Sequence, residues 1–596
     1  MHGITRLPSL GSRILWGFLT AGSLAASPAG SDLWMDGVFD DWQAVPVASA
    51  DPAGDAFTRD FAELRITNDE RYLYLSLRFH SPEFLLQDGN DIHLYIDSDQ
   101  RTETGLPVGG LGAELDWCFG RRTGRISLNG QTRPITHPDI GLVTLPSVTS
   151  RQFEIALALD NPAFTLQGTQ TADTIRILLM ETRDGGDFLP DAAGGLTYKI
   201  ASQQSRPPEP LPLDRQAPDH LRLLTYNTLQ SGFLDPARRP AFRRILTALD
   251  ADIMGFQELY DSDLDLQDIF ADWFPQQPWY VAQEGRSVGM VSRYPVLHRA
   301  VLTDSRRTLA VLVDLPDNLG DRLLVIVSHL ACCDDDQSRQ RDADQIMATL
   351  RAWKQGNGPF PLPESTPIIH VGDFNLVGEA RQLATLTAGD ILNEAVYGPD
   401  APPDWDGSGF ADLISRQPGT RMGYTWRDEG SLFSPGKLDY VLYSDHVIRP
   451  GNHFILQTLA LSDSTLERHH LKSTDTPVAS DHLPRVFDIA EIRVPKHSET
   501  GTAAPKEQLA PGYPNPFALE TTLSYRLKRP SKVSLAIYDV TGRRVRTLVR
   551  NRQPAGSWSI RWDGTDARNH RVSAGVYFCR LQVGTRQTWQ KLLYIR

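Results

Sequence analysis

The sequence predicts a chain of several domains, β-rich at both ends, around a centre of buried strands. Three observations predict this. At 596 residues, the chain is several times longer than the roughly 100–200 residues of a typical domain. Short runs that alternate apolar and polar residues recur between residues 72 and 179 and again after 533, as half-buried strands do. Between them lie longer β-branched and aliphatic runs, each followed or opened by a polar residue. Such runs read as buried strands that present functional side chains at their ends.

Taken in order, residues 1–26 read as an export signal. Arg6 and Arg13 supply the positive region, Ile14 to Leu19 start an apolar run, and small residues follow through Ala25 and Ala26. A buried N-terminal helix is the alternative. The run is too short to span a bilayer, and no later stretch is long and apolar enough to do so. Residues 31–200 read as a separate β-sandwich. Tyr72–Phe79, Asp91–Asp97, Phe153–Leu159 and Thr174–Leu179 all alternate. Residues 201–219 form a Pro-rich, semi-rigid linker. Residues 491–511 form a second linker, small and polar. Residues 512–596 form a small all-β domain with strands near Val533–Tyr538 and a turn at Asp539–Arg543.

Six ordered motifs fill residues 220–490. Leu224-Thr225-Tyr226-Asn227 puts an amide at the end of an apolar run, and Gly255-Phe256-Gln257-Glu258 a carboxylate at the end of the next. Val327-Ser328-His329 and Val371-Gly372-Asp373-Phe374-Asn375 end two more, and Lys437-Leu438-Asp439-Tyr440 opens a fifth. Ala479-Ser480-Asp481-His482 closes the series. Carboxylates with an amide oxygen suit a hard cation such as Mg²⁺. A His beside a carboxylate suits proton transfer. There is no Gly-rich phosphate loop, no G-x-S-x-G elbow and no zinc-type Cys/His cluster. The set points to metal-assisted attack of water on a phosphate ester.

The ordered set resembles the endonuclease/exonuclease/phosphatase superfamily, over roughly 270 residues. That resemblance implies an α/β four-layer sandwich, two mixed β-sheets flanked by helices. It implies Mg²⁺, with Mn²⁺ as the alternative, held by Asn227, Glu258 and Asp481. It implies acid/base work shared by Asp373 and His482, with Asp439 supporting His482. Asn375 would orient water and phosphate with Asp373, and His329 would contact the phosphate or act as general acid. The family often has Arg where this chain has Lys437, and Lys cannot make the bidentate fork. His370 reads as structural, His469-His470 as a solvated loop, and the Arg341/Gln345 pair as a charged helix face. Residues 397–436, with Trp405 and Trp426, read as the loop that shapes specificity.

The flanking domains carry resemblances of their own. Asp36-Gly37-Val38-Phe39-Asp40-Asp41-Trp42 and the Asp97-Ser98-Asp99 turn before Thr104-Gly105 resemble family 9 carbohydrate-binding modules, which implies a glycan partner. Asp97, Asp99 and Glu103 are spaced like a Ca²⁺ loop, with a metal-free acidic turn as the alternative. Tyr513-Pro514-Asn515-Pro516-Phe517, Trp562-Asp563-Gly564 and the ending Lys591 to Arg596 resemble the immunoglobulin-like type A sorting domain of type IX secretion. That implies passage through the periplasm of a Gram-negative type bacterium to the surface or medium.

Composition is that of a globular protein, 40% hydrophobic and 22% charged. A net charge of -13 excludes gripping nucleic acid by a global positive field, but not a local groove with a cation. Cys332 and Cys333 are adjacent; a bridge between them would be strained. The leading expectation is a secreted phosphodiesterase acting on nucleic acid first and sphingomyelin-type lipid second. A phosphomonoesterase and a non-catalytic glycan-binding surface protein are the alternatives.

Overall fold

The computed structural model describes residues 33–166, 170–201, 208–284 and 287–493, residue 509 and most of 515–595. The expected export signal lies outside the described residues, as do 202–207 of the first linker and 494–508 of the second. Among the described residues the protein is mostly β, and its seven α-helices all belong to the central part.

The described residues of 33–201 build two main sheets around one core. Val47–Ala50, Phe61–Asn68, Tyr72–Phe79, Gln152–Ala158 and Val143–Leu145 form a five-stranded sheet in that order. Ile92–Asp97 and Thr174–Glu181 pair antiparallel inside a seven-stranded one. The alternating run does what its period requires: Leu73, Leu75 and Leu77 point inward and meet Ile92, Leu94 and Ile96. Tyr74 lies on the opposite face of the same strand, yet is only 2% exposed.

That exception changes the expected architecture. Tyr74 joins Leu33, Met35, Trp42, Val45 and Leu145 in a cluster with Met422, Tyr424, Ile455 and Leu483 of the central domain. The N-terminal β region is therefore not a free module on a linker, because one face of its five-stranded sheet completes a shared core. The Asp36–Trp42 opening is part of this joint. Buried Glu154 accepts from the Trp42 indole at 2.8 Å and from the backbone N–H groups of Asp36 and Gly37 at 3.0 and 2.8 Å. Trp42 is thus a core side chain, 1% exposed, not a surface for stacking sugar rings. The expected Ca²⁺ loop also differs, since Glu114, not Glu103, comes together with Asp97 and Asp99.

The central domain holds two six-stranded sheets. One runs Tyr280–Gln283, Ser287–Ser292, Ile253–Leu259, Leu221–Asn227, Arg485–Ile492, Ile448–Ile455. The other runs Val296–Val301, Thr308–Asp314, Arg322–His329, Ile368–Asp373, Asp439–Tyr443, Ala411–Asp412. Leu223, Ile253, Val288 and Met290 of the first share a core with Val311, Val325, Val371 and Val441 of the second. Helices Arg239–Leu249 and Leu266–Trp273 add Phe242, Ile245 and Phe270 to a core with Leu224 and Phe256. Helix Asp336–Lys354 adds Ile346, Met347 and Leu350 to a core with Leu324 and Ile326. Because strand side chains alternate faces, each sheet serves two cores, which is why these runs read as continuously apolar.

The C-terminal strands pair as Arg544–Gln553, Ser531–Asp539, Gly575–Val583, Arg586–Tyr594, with Thr521–Leu527 against Gly556–Trp562. Leu535, Ile537, Trp562, Cys579 and Leu592 form their core.

Candidate active site

Two parallel pairs bring the motifs to one edge. Leu221–Asn227 runs parallel to Ile253–Leu259, and Arg322–His329 runs parallel to Ile368–Asp373. The residues that end these strands therefore emerge on the same side of each sheet. His329 faces Asp373 in the register, and Asp373 in turn faces Asp439. His482 sits just before strand Arg485–Ile492, which pairs with Leu221–Asn227. Asn227, Glu258, His329, Asp373, Asn375, Asp439 and His482 come together here. Asp481 precedes His482 and its charge acts on that imidazole, while its Oδ2 accepts from the Trp426 indole at 2.9 Å.

The backbone is bent to present these groups. Glu258 sits at a β-bulge with φ 61°, and Asn375 has φ 50°. Left-handed non-Gly residues cost energy and persist where packing enforces them. Gly372 has φ 136°, and a Cβ there would meet the Ser328 carbonyl oxygen at 2.0 Å. Glycine before Asp373 is thus a steric requirement of the close strand pairing.

Asp373 Oδ2 is the hub. It accepts from Asn227 Nδ2 at 2.9 Å and from Asn375 Nδ2 at 3.0 Å. The Nε2 atoms of His482 and His329 lie 3.6 and 3.7 Å from it. Asp373 Oδ1 accepts from the Asn375 backbone at 2.9 Å. Asn227 Nδ2 also donates to Glu258 Oε1 at 3.0 Å, while its Oδ1 accepts from Leu229 N–H at 2.9 Å. Glu258 Oε2 accepts from Gln230 N–H at 2.7 Å. His482 Nδ1 meets Asp439 Oδ2 at 2.8 Å.

The two histidines are held in opposite states. Burial opposes charge on His482, but Asp439 and then Asp373 overcome it and push its pKa up to about 10. Burial, then Arg307 and His482, push His329 down to about 3. His329 is neutral, and its Nδ1 lies 2.9 Å from Ser287 Oγ. Burial, only partly offset by His482, lifts Asp373 to about 7. Charged and neutral imidazoles on either side of a poised carboxylate mark acid/base partners whose environments separate them.

Glu258, Asp373 and His482 each offer a ligand atom, and these atoms lie within 4.8 Å of one another. The two carboxylates fit a hard divalent cation. His482 fits less well, since a protonated imidazole has no free lone pair. Asn227 presents its NH₂ to the carboxylates, so its oxygen would serve only with the amide turned over.

Several side chains differ from expectation or were missed. Lys437 does not offer its charge to a phosphate, because it pairs with Asp412 at 2.7 Å and lies over the Tyr440 ring. His370 is fully buried and bonded to Ser328 Oγ at 2.7 Å, a structural partner as expected. Cys332 and Cys333 are free thiols with sulfurs 2.8 Å apart. Ser287, Tyr260 and Arg307 around His329 belong to no motif; only the fold brings them there.

Residues 224–482 match the model of the Endonuclease/Exonuclease/phosphatase family. This match spans all eight of the expected site residues, and the hub geometry lies inside the matched domain. Residues 517–586 match the FlgD Ig-like domain. No curated protein shows significant similarity to the chain. Among solved structures, sphingomyelinase C from Streptomyces griseocarneus is similar at 19% identity, covering 45% of this chain and 99% of that one, with TM-score 0.27. Beta toxin from Staphylococcus aureus with bound magnesium ions is 16% identical over 45% of this chain and 99% of that one, with TM-score 0.28. AP endonuclease LMAP from Leishmania major is 13% identical over 48% and 93%, with TM-score 0.28.

Proposed function

We propose that the protein is a divalent-metal-dependent phosphoesterase that cleaves phosphodiester bonds by attack of water, with nucleic acid as its first substrate class. The observation that carries the reading is the Asp373 hub: one carboxylate oxygen between a cationic and a neutral imidazole, 3.6 and 3.7 Å away. These separations are too long for good direct hydrogen bonds, so one oxygen of water or phosphate lying beside each pair could bond to both groups. Asp373 takes the proton of the attacking water. His482 donates to the departing oxygen, and Asp373 then returns a proton to His482. Asp439 keeps His482 charged and oriented. If the Ser287 hydroxyl donates to His329 Nδ1, then His329 Nε2–H is free to hold a non-bridging phosphate oxygen. Glu258 and Asp373 would hold Mg²⁺ or Mn²⁺, which when bound would supply positive charge to offset that on the phosphate and leaving oxygen. Trp426 holds Asp481, and the 397–436 loop shapes specificity.

The reading extends to location. Residues 1–26 act as an export signal, and residues 512–596 as a type IX sorting domain that directs the chain to the cell surface or medium. The similarity of residues 517–586 to an immunoglobulin-like domain supports the second part. Mass spectrometry of culture medium and cells tests it: intact 1–26 on a cytoplasmic chain rejects export.

The deciding experiment is hydrolysis of bis-p-nitrophenyl phosphate and of DNA by the full chain, with Mg²⁺ and with EDTA, beside His482→Ala and Glu258→Ala. Metal-dependent turnover lost in both variants supports the proposal. Turnover on the diester and on sphingomyelin but not on DNA replaces nucleic acid with lipid. Silence on diesters, with turnover on monoesters, rejects phosphodiester specificity. Silence on all of them favours a non-catalytic binding protein.

A further inference from the structure

A second acidic centre lies far from the catalytic motifs, in the N-terminal sandwich. The loop 51–60 joins strand Val47–Ala50 to strand Phe61–Asn68, and Asp187 precedes strand Phe188–Leu189. Asp51, Asp55, Asp60 and Asp187 each offer a carboxylate oxygen, and the four atoms lie within 4.8 Å of one another. Acidic clusters are common on surfaces, where water screens them. This one is not left to water. Asp51 is 8% exposed, and its Oδ2 is buried with no hydrogen-bond partner. Asp60 Oδ1 and Thr58 Oγ1 are buried and unpartnered in the same loop.

The remaining bonds fix the cluster without neutralising it. Asp187 accepts from the backbone of Phe61 at 2.7 Å and of Phe188 at 2.8 Å. Asp60 Oδ2 accepts from Gly54 N–H at 2.8 Å. The charges that act most on Asp51 are those of Asp187, Asp191, Asp55 and Asp60, all carboxylates. A buried, unpaired carboxylate oxygen among like charges is costly. The group at Asp97, Asp99 and Glu114 is a useful contrast. There Arg176 pairs with Asp97, Thr104 donates to Asp99 at 2.9 Å, and Ser98 N–H donates to Glu114 at 2.8 Å. That group is satisfied by the protein itself.

We propose that Asp51, Asp55, Asp60 and Asp187 form a Ca²⁺ site that ties the 51–60 loop to the segment before Phe188. Hard oxygen ligands select Ca²⁺ or Mg²⁺. Oxygens around Ca²⁺ at about 2.3–2.6 Å stand up to about 5 Å apart, whereas Mg²⁺ draws them closer and demands an octahedron. Four carboxylates drawn from an irregular loop and a separate segment suit the larger ion, which takes six to eight oxygens in flexible geometry. The inference does not depend on the phosphoesterase reading.

The test is calorimetric titration of the metal-stripped full chain with CaCl₂, in excess MgCl₂ to fill the central site, with melting curves in Ca²⁺ and in EDTA. The wild type is expected to show one Ca²⁺ binding event and a rise of several degrees in melting temperature. Asp51→Asn is expected to lose both, and to melt no lower than wild type in EDTA because the orphaned charge is gone. Asp55→Asn changes an exposed side chain and cannot disturb the core; it is expected to weaken Ca²⁺ binding at least tenfold. Asp97→Asn is expected to keep the response. A wild type that ignores Ca²⁺, variants that respond like wild type, or loss in Asp97→Asn alone would each overturn the site.

Discussion

The two ends of strand Leu221–Asn227 are both buried and both charged, yet they are built on opposite terms. At the start, Arg222 donates to both oxygens of Asp488 at 2.6 and 2.9 Å, and to the carbonyls of Leu213 and Leu249 at 2.7 and 3.1 Å. One cation faces one anion, and the bonds are complete. At the other end, Asn227 lies among Glu258, Asp373 and Asp439, with His482 as the cation. Asp439 Oδ1 is buried without a partner. The first end is matched and serves the fold; the second holds more carboxylates than cations. Buried polar groups are normally satisfied, so the mismatch marks the candidate site.

Substitutions at the two ends should therefore differ in what they do to activity. His482→Ala is expected to lower kcat about 10³-fold, about 4 kcal/mol of barrier, and also to lower the urea midpoint of the metal-free protein, because Asp439 is left buried without its cation; steady-state kinetics and denaturation check this together. Arg222→Ala is expected to strip about 3–5 kcal/mol from stability, because Asp488 is left buried and alone. A loss under 1 kcal/mol by urea denaturation would break the contrast between the ends.

Asp439→Asn sharpens it at lower cost. Without that charge, His482 loses its main support, so kcat is expected to fall about 100-fold and the basic limb of the pH profile to move to lower pH. Stability carries the same signature. His482 is raised from 6.5 to about 10, so its contribution is full below about pH 6.5 and lost as pH rises through 10. Asp373 is raised from 3.8 to about 7, so its contribution is full below about pH 3.8 and lost as pH rises through 7. Both act in one direction: the metal-free protein is expected to lose stability between pH 5 and 9, and Asp373→Asn to flatten the first part of that fall. Melting curves in EDTA across this range measure it, and a stability that climbs with pH would refute the assignment.

The smallest effect tests the joint with the N-terminal sandwich. Ser147 Oγ lies 3.0 Å from the carbonyls of Leu376 and Lys437, next to Asn375 and Asp439. Ser147→Ala is expected to cost about 1 kcal/mol of stability and to lower kcat a few-fold; urea denaturation and kinetics on the same preparation check both.

The polar residues that end apolar runs were readable without a structure. A strand buried on both faces leaves its end as the place where Asn227, Glu258, His329 and Asp373 can meet one another. Gly372 shows why a motif is more than its acidic residue, since the left-handed backbone and the 2.0 Å clash of any Cβ require glycine before Asp373. The surroundings of His329 were not readable. Ser287, Tyr260 and Arg307 lie in separate loops and strands, and nothing in their local sequence marks a shared neighbour.

Local pattern determined what is periodic or covalently near: the strands, the motif order, and the pairing of each functional side chain with a strand end. Tertiary structure decided what depends on distance in space. It turned the Asn227 amide toward two carboxylates, left Asp481 to Trp426 and Lys437 to Asp412, and joined Trp42 and Tyr74 to the central core. Hydrogen bonds and charge act over a few ångströms, and residues 255 positions apart, Asn227 and His482, become neighbours only when the sheets close.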